Sequence, residues 1–229
     1  MAAVLARDVA TVHARSNNCV ALASEHEFAH WAARGQILQG WAVTQKGEAT
    51  TRIALIRDGM AAAEATGVRL FTPFHLILLA EALALAGKIE EGLATLDDAL
   101  ATAAVSGERG WDAEIHRLRG ELTGRLPYPD PAKAEESFRT ALAIAREQGT
   151  RGYELRAATS LARLHRDQGR RAEARDLLAP VYGWFTEGFG TPDLKEAELL
   201  LDELNGEGVS DRQPEPGPPA NAGHASRQA

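Results

Sequence analysis

The stretch Phe71-Thr-Pro-Phe-His-Leu-Ile-Leu-Leu-Ala80-Glu-Ala-Leu-Ala-Leu-Ala-Gly87, continued by Leu96, Ala99 and Leu100, decides the fold because its landmarks recur along the chain. Trp31, Phe71, Trp111 and Tyr153 are spaced 40, 40 and 42 apart, and each opens a segment with helical periodicity. Nine positions after each aromatic stands a small residue, at Gly40, Ala80, Gly120 and Ala162, as close contact between helices requires. Gly47, Gly87 and Gly169 follow sixteen positions after their aromatics, where a turn between helices favours a residue that tolerates positive φ. Ile56, Leu96, Phe138 and Leu178 are spaced 40, 42 and 40. The two additional residues therefore enter between Gly120 and Phe138, where the three-proline segment 124–131 reads as a lengthened loop. A fixed period of this size means stacked supersecondary units, each burying its apolar face only against its neighbours. The expectation is an all-α solenoid of about ten helices, built from ~40-residue helix pairs.

Composition agrees. The 229 residues are 45% hydrophobic but only 6% aromatic, rich in Ala, Leu, Glu and Arg, and lack the β-branched runs of strands. A net charge of -7 with mixed signs argues against a general nucleic-acid-binding surface. The longest apolar run, 74–86, is interrupted by His75 and Glu81 and is too short to span a bilayer, so no membrane partner is expected. The opening Met1-Ala-Ala-Val-Leu-Ala-Arg-Asp lacks the order of a secretion signal, and a cytoplasmic location is expected. The single cysteine, Cys19, rules out an intramolecular disulfide framework and reads as a small buried residue.

Periodicity predicts helices over 3–25, 27–46, 49–66, 71–86, 89–105, 111–124, 131–148, 151–168, 171–186 and 192–204. Residues 1–204 form one repeat domain on this reading, and 205–229, dominated by Gly, Pro, Ser, Gln and Ala, form a disordered tail. Pro180 is expected to kink or break its helix, and Thr191-Pro192-Asp193 to start the last one with Thr191 as N-cap. Subtracting 40 from Trp31 gives a position before Met1, so the first helix lacks a repeat partner. Val12, Cys19, Val20 and Leu22 then belong to an apolar face that needs cover, and the chain is either the tail of a longer protein or is capped by something else.

Ala134, Phe138, Ala141 and Leu142, like Leu79, Ala80, Gly87, Leu96, Ala99 and Leu100, resemble the consensus of tetratricopeptide repeats, although the period exceeds the common length of about 34. The runs starting Tyr153-Glu-Leu-Arg, Ala172-Glu-Ala-Arg, Val181-Tyr-Gly-Trp, His116-Arg-Leu-Arg and Ile37-Leu-Gln-Gly are similar to the C-terminal tail of a bacterial signalling family. That family joins a class III nucleotidyl cyclase domain, an AAA-type regulatory ATPase and tetratricopeptide repeats. The similarity spans about residues 7–204. It implies a truncated or separately encoded regulatory tail, with a protein or peptide segment as partner, a cyclase/ATPase polypeptide being one candidate. It transfers no chemistry: no Gly-x-x-x-x-Gly-Lys-Ser/Thr phosphate loop occurs, and no cofactor is expected.

His26-Glu27-Phe28-Ala29-His30 matches the HExxH of zinc hydrolases, which needs both histidines on one face of a continuous helix. Here it spans the turn between the first two helices, with Glu27 in the place held later by Gly67, Gly107 and Gly149, and a non-enzymatic reading prevails. His75, His116 and His165 fall in different repeats and read as packed or rim residues. In a tetratricopeptide stack the first helix of each pair lines the concave groove. Register assigns to it Arg34, Trp41, Gln45, Glu81, Glu114, Arg117, Glu121, Arg156, Arg163 and Arg166, giving an acidic middle and a basic C-terminal end suited to a charged partner segment. The family's chaperone-tail clamp needs Asn at the position held by Trp41, Glu81, Glu121 and Arg163 and is not expected. Trp31, Phe71, Trp111 and Tyr153 read as wedges between units, and Tyr182, Trp184, Phe185 and Phe189 as a seal on the last turn.

Overall fold

Gly47, Gly67, Gly87, Gly107, Gly149 and Gly169 all take positive φ at helix ends in the computed structural model of the chain, which describes residues 2–47 and 49–206. Each closes one helix and reverses the chain into the next, as an L side chain there would do only with strain. Between these turns run α1 (Ala2–Leu5), α2 (Val9–Glu25), α3 (Ala29–Thr44), α4 (Ala49–Ala65), α5 (Thr72–Leu85), α6 (Ile89–Ser106), α7 (Asp112–Thr123), α8 (Pro131–Glu147), α9 (Arg151–Asp167), α10 (Arg171–Tyr182) and α11 (Pro192–Asn205). No strand occurs among the described residues, and no helix there is long and apolar enough to cross a membrane. The fold is an all-α, tetratricopeptide-like solenoid.

The pairs α3/α4, α5/α6, α7/α8 and α9/α10 are helical hairpins, and the first helices α3, α5, α7, α9 and α11 touch in succession to form an inner layer. The small residue of one register meets the large residue of the other. A Cβ built on Gly40 would stand 2.7 Å from Ile56 Cγ1, and one on Gly120 would stand 2.6 Å from Phe138 Cε1. Ala80 shares a fully buried cluster with Leu96, and Ala162 shares another with Leu178. Burial of each such large side chain contributes roughly 1.5–3 kcal/mol. The repeat is thus a repeat of packing as well as of spelling.

The termini depart from the expected helices. The predicted helix over 3–25 is two, because the Asp8 carboxylate accepts the Thr11 amide at 3.0 Å and caps α2, while Arg7 takes φ +53° and turns the chain. The uncovered apolar face expected of α2 is largely absent. Ser16 and Ala23 are buried, Cys19 is half-buried with its Sγ 3.5 Å from the Trp31 carbonyl, and a Cβ on Gly35 would meet Val20 Cγ2 at 2.8 Å. Val12 is buried beneath α1 and α3. The tight turn at residues 26–28 lets α2 fold onto α3, leaving Arg15, Asn17, Asn18, Ser24 and Glu25 on the outside beside one large exposed apolar residue, Leu22.

At the other end α10 runs through Pro180 and stops at Tyr182, four residues short of the expected end. Pro180 lies in the last turn, so only one helix bond, the one an N–H at this position would make to the Asp176 carbonyl, is lost before the chain leaves the helix at Gly183. Thr191 precedes α11, but its hydroxyl donates to the Gly188 carbonyl at 2.8 Å instead of capping the helix. The expected aromatic seal is only half made: Tyr182 and Phe185 pack on the C-terminal core, whereas Trp184 and Phe189 are exposed. The four register aromatics also diverge. Phe71 and Trp111 meet edge to face at 6.5 Å, and Trp111 stacks on Phe74 at 4.7 Å. Trp31 is 53% exposed and joins no such pair of units. The tail expected over 205–229 lies, beyond Gly206, outside the described residues.

Candidate binding groove

The inner layer encloses one open cavity of about 210 Å³, walled by α3, α5, α7, α9 and α11 and closed on one side by Val4 and Arg7. Trp41, Gln45, Glu81, Glu114, Arg117, Glu121, Arg156 and Arg163 all line it, eight of the ten positions that register assigns to a groove. Their spacing explains the convergence: at a 40-residue period, equivalent positions on successive first helices stand side by side.

Arg34 and Arg166 lie elsewhere. The Arg34 guanidinium sits 5.0 Å from the Trp31 ring centre and 4.4 Å from that of Phe71, clasping the first two complete units by cation–π contact. Arg166 pairs with Glu203 at 2.9 Å and so ties α9 to α11. Long flexible arginine stems took both away from the wall their backbone positions face.

The expected division into an acidic middle and a basic end is corrected, because the charges neutralise one another across repeats. Arg117 grips Glu114 with two bonds, of 2.7 and 2.9 Å, and also bonds Glu121. Arg156 reaches back from α9 to the same Glu114 at 2.8 Å. Ser160 donates to Glu121 at 3.0 Å, and Arg163 donates to Glu196 at 3.1 Å. Trp41 Nε1 donates to Glu81 at 2.6 Å, linking α3 to α5. Burial pushes the Glu114 carboxyl upward, but Arg117 and Arg156 outweigh it and hold its pKa below the ordinary value. Glu81 goes the other way: burial raises its pKa and Arg156 only partly opposes this. Burial raises Asp193 in the same manner despite Arg156 and Arg7. The cavity is therefore a desolvated polar wall with fixed donors and acceptors, suited to orienting a partner's backbone and charged side chains.

Sequence reasoning missed Arg7, Tyr153, Asp193 and Glu196 as wall residues. Two of these carried a signal: Asp193 and Glu196 stand 40 positions after Tyr153 and Arg156 and continue their registers onto α11. The HExxH stretch forms no site. His26 caps the end of α2, Glu27 takes φ +57° and Phe28 precedes α3, so the two histidines belong to different helices. His75 and His165 are buried and His116 is half-buried, each on its own helix.

No family model matches the chain. It is 28% identical over 142 residues to an uncharacterized protein of Rhizobium meliloti (strain 1021), a match covering 62% of this chain and 14% of that protein. The chain thus spans a small fraction of that relative's length. Among solved structures it is similar to BtubC (BKLC) from P. vanneervenii, with a TM-score of 0.62 at 15% identity over 98% of this chain and 99% of that one. It is also similar to a kinesin light chain-like protein of Podosopora anserina with nearly identical TPR-like repeats, with a TM-score of 0.56 at 19% identity over 76% and 87% of the two chains. These likenesses establish the fold.

Proposed function

We propose that the chain is a non-catalytic protein-interaction module that holds a partner segment in the groove of its first helices. The observation that carries this reading is the convergence of eight register positions from α3, α5, α7 and α9 on one cavity. Some of their hydrogen bonds and ion pairs run between neighbouring units, as Trp41 to Glu81 and Arg156 to Glu114 do, and others within α7, as Arg117 to Glu114 does, so the wall is organised before a partner arrives. The module serves regulation within a larger signalling assembly. Supporting this are the sequence resemblance to the repeat tails of cyclase–ATPase regulators and the small share of the Rhizobium relative that the chain matches.

Photo-crosslinking tests the site. A benzophenone side chain at Gln45 or Thr159, in the groove, should capture a partner polypeptide in cell extract, while the same group at Asn17 or Ser137 on the outer helices should not. Adducts from the outer positions alone would overturn the groove as the binding surface, and a captured cyclase or ATPase polypeptide would establish the signalling context.

A further inference from the structure

Residues 2–8 do not continue into α2 but fold across the mouth of the groove. The turn is fixed by two backbone bonds, Arg7 N–H to the Val4 carbonyl and Asp8 N–H to the Ala3 carbonyl, each 2.9 Å, and by the Asp8 cap on α2. This places Val4 in the buried cluster that contains Trp41, Phe74 and Leu78, where it is 7% exposed. Three residues later, Arg7 adopts the left-handed backbone that non-glycine residues rarely use. Its guanidinium donates to Glu196 at 2.7 Å and to Asp193 at 3.5 Å, residues 189 and 186 positions away. Val4 and Arg7 both line the cavity. A strained turn held by one aliphatic anchor and one charged anchor at the far end of the chain has the form of a docked ligand.

We infer that the groove recognises a short segment carrying a small aliphatic residue three positions before an arginine, and that the chain's own Val4 and Arg7 occupy that site in cis until such a partner displaces them. The inference rests on the groove being the binding surface. The chemistry of both subsites argues for this motif. The recess around Val4 is aromatic and aliphatic, formed with Trp41, Phe74 and Leu78, and takes a small branched side chain. The second subsite offers two carboxylates on successive turns of α11. Glu196 already carries Arg163 on its other oxygen, and Asp193 has Arg156 only at 3.9 Å. An acidic segment would meet like charge there, whereas a guanidinium can bond both carboxylates at once. Tethering by so short a segment gives the internal ligand a high effective concentration, so a free peptide competes poorly until the tethered anchors are weakened.

The test uses the full chain and a fluorescein-labelled peptide of residues 1–11, read by anisotropy. Arg7→Ala alters a side chain that is partly exposed and should leave the helical stack unchanged by circular dichroism; it should bind the peptide at least about tenfold more tightly than the unaltered chain. Val4→Ala combined with Arg7→Ala should bind at least as well. Adding Glu196→Gln to Arg7→Ala should reverse the gain, and a peptide with Arg7→Ala should not bind. Equal affinity for the unaltered and Arg7→Ala chains, no binding to either, or equal binding of the arginine-free peptide would each overturn the inference. Partner crosslinks at Gln45 that persist unchanged in the Arg7→Ala chain would leave the groove standing as a site while removing residues 2–8 as its internal ligand.

Discussion

Gly120 lies against the ring of Phe138 so closely that a methyl group on it would meet three ring carbons between 2.6 and 2.9 Å. The same register places Ala80 in one buried cluster with Leu96 and Ala162 in another with Leu178, so a larger residue on one helix goes with a smaller one on its partner. Gly120→Ala should therefore destabilise the chain by about 1–3 kcal/mol through overpacking, in spite of the gain of roughly 1 kcal/mol that alanine brings to an isolated helix. The double variant Gly120→Ala/Phe138→Leu recreates the pairing of the neighbouring units and should recover most of the loss. Urea unfolding of the three chains measures both effects, and a double variant as unstable as Gly120→Ala alone would refute the matched-pair account.

Stability should fall on mild acidification through His75. Burial, reinforced by Arg34 and His30, lowers its pKa from 6.5 to about 4. Above pH 6.5 the imidazole is neutral in both states. As pH falls from 6.5 to about 4 the unfolded chain takes up a proton that the folded chain refuses, so folding stability declines across that window. His75→Gln should flatten this part of the profile, as followed by thermal unfolding at a series of pH values.

A second, lower window belongs to Glu135. Hydrogen bonds from Arg170 and Arg139, with Arg170's charge and a bond from His165 adding to them, hold its pKa down from 4.5 to about 2. The stabilisation is complete above pH 4.5 and is lost as pH falls through about 2, because the unfolded state binds the proton first. Glu135→Gln should remove that acid-limb slope without shifting the slope assigned to His75.

Arg34 stands between the Trp31 and Phe71 rings, on the surface of the first units. Arg34→Ala should cost about 1 kcal/mol in stability and alter tryptophan emission, while Arg34→Lys, which keeps the charge but not the flat stacking surface, should recover only part of it. An Arg34→Ala chain as stable as the original would show the clasp to be incidental.

The chain should bind no zinc stoichiometrically through His26 and His30, because Glu27 breaks the helix that an HExxH site requires. Calorimetric titration with zinc of the original chain and of His26→Ala/His30→Ala should be indistinguishable. A one-to-one uptake lost in the double variant would contradict this.

Most of the fold was legible because the contacts that build it recur at one period. Gly40 with Ile56 and Gly120 with Phe138 are local pairs within a hairpin, and the turn glycines carry their own conformational signature. Groove membership was legible for the same reason, since register places Trp41, Glu81, Glu121 and Arg163 on equivalent faces of α3, α5, α7 and α9. The destination of a long charged side chain was not. Arg156 bends back to Glu114 and Arg34 lies on two rings, choices set by neighbours that register alone does not supply. Least legible were the ends: the pairing of Arg7 with Glu196 depends on how far the whole stack curves, a sum over every unit between them.

Hydrogen–deuterium exchange of the full chain with and without the partner segment captured at Gln45 tests the central claim most directly. Binding in the groove predicts slowed exchange along the inner helices α3, α5, α7, α9 and α11, with faster exchange at residues 2–8 as that segment is displaced. Protection confined to the outer helices α4, α6, α8 and α10 would contradict it.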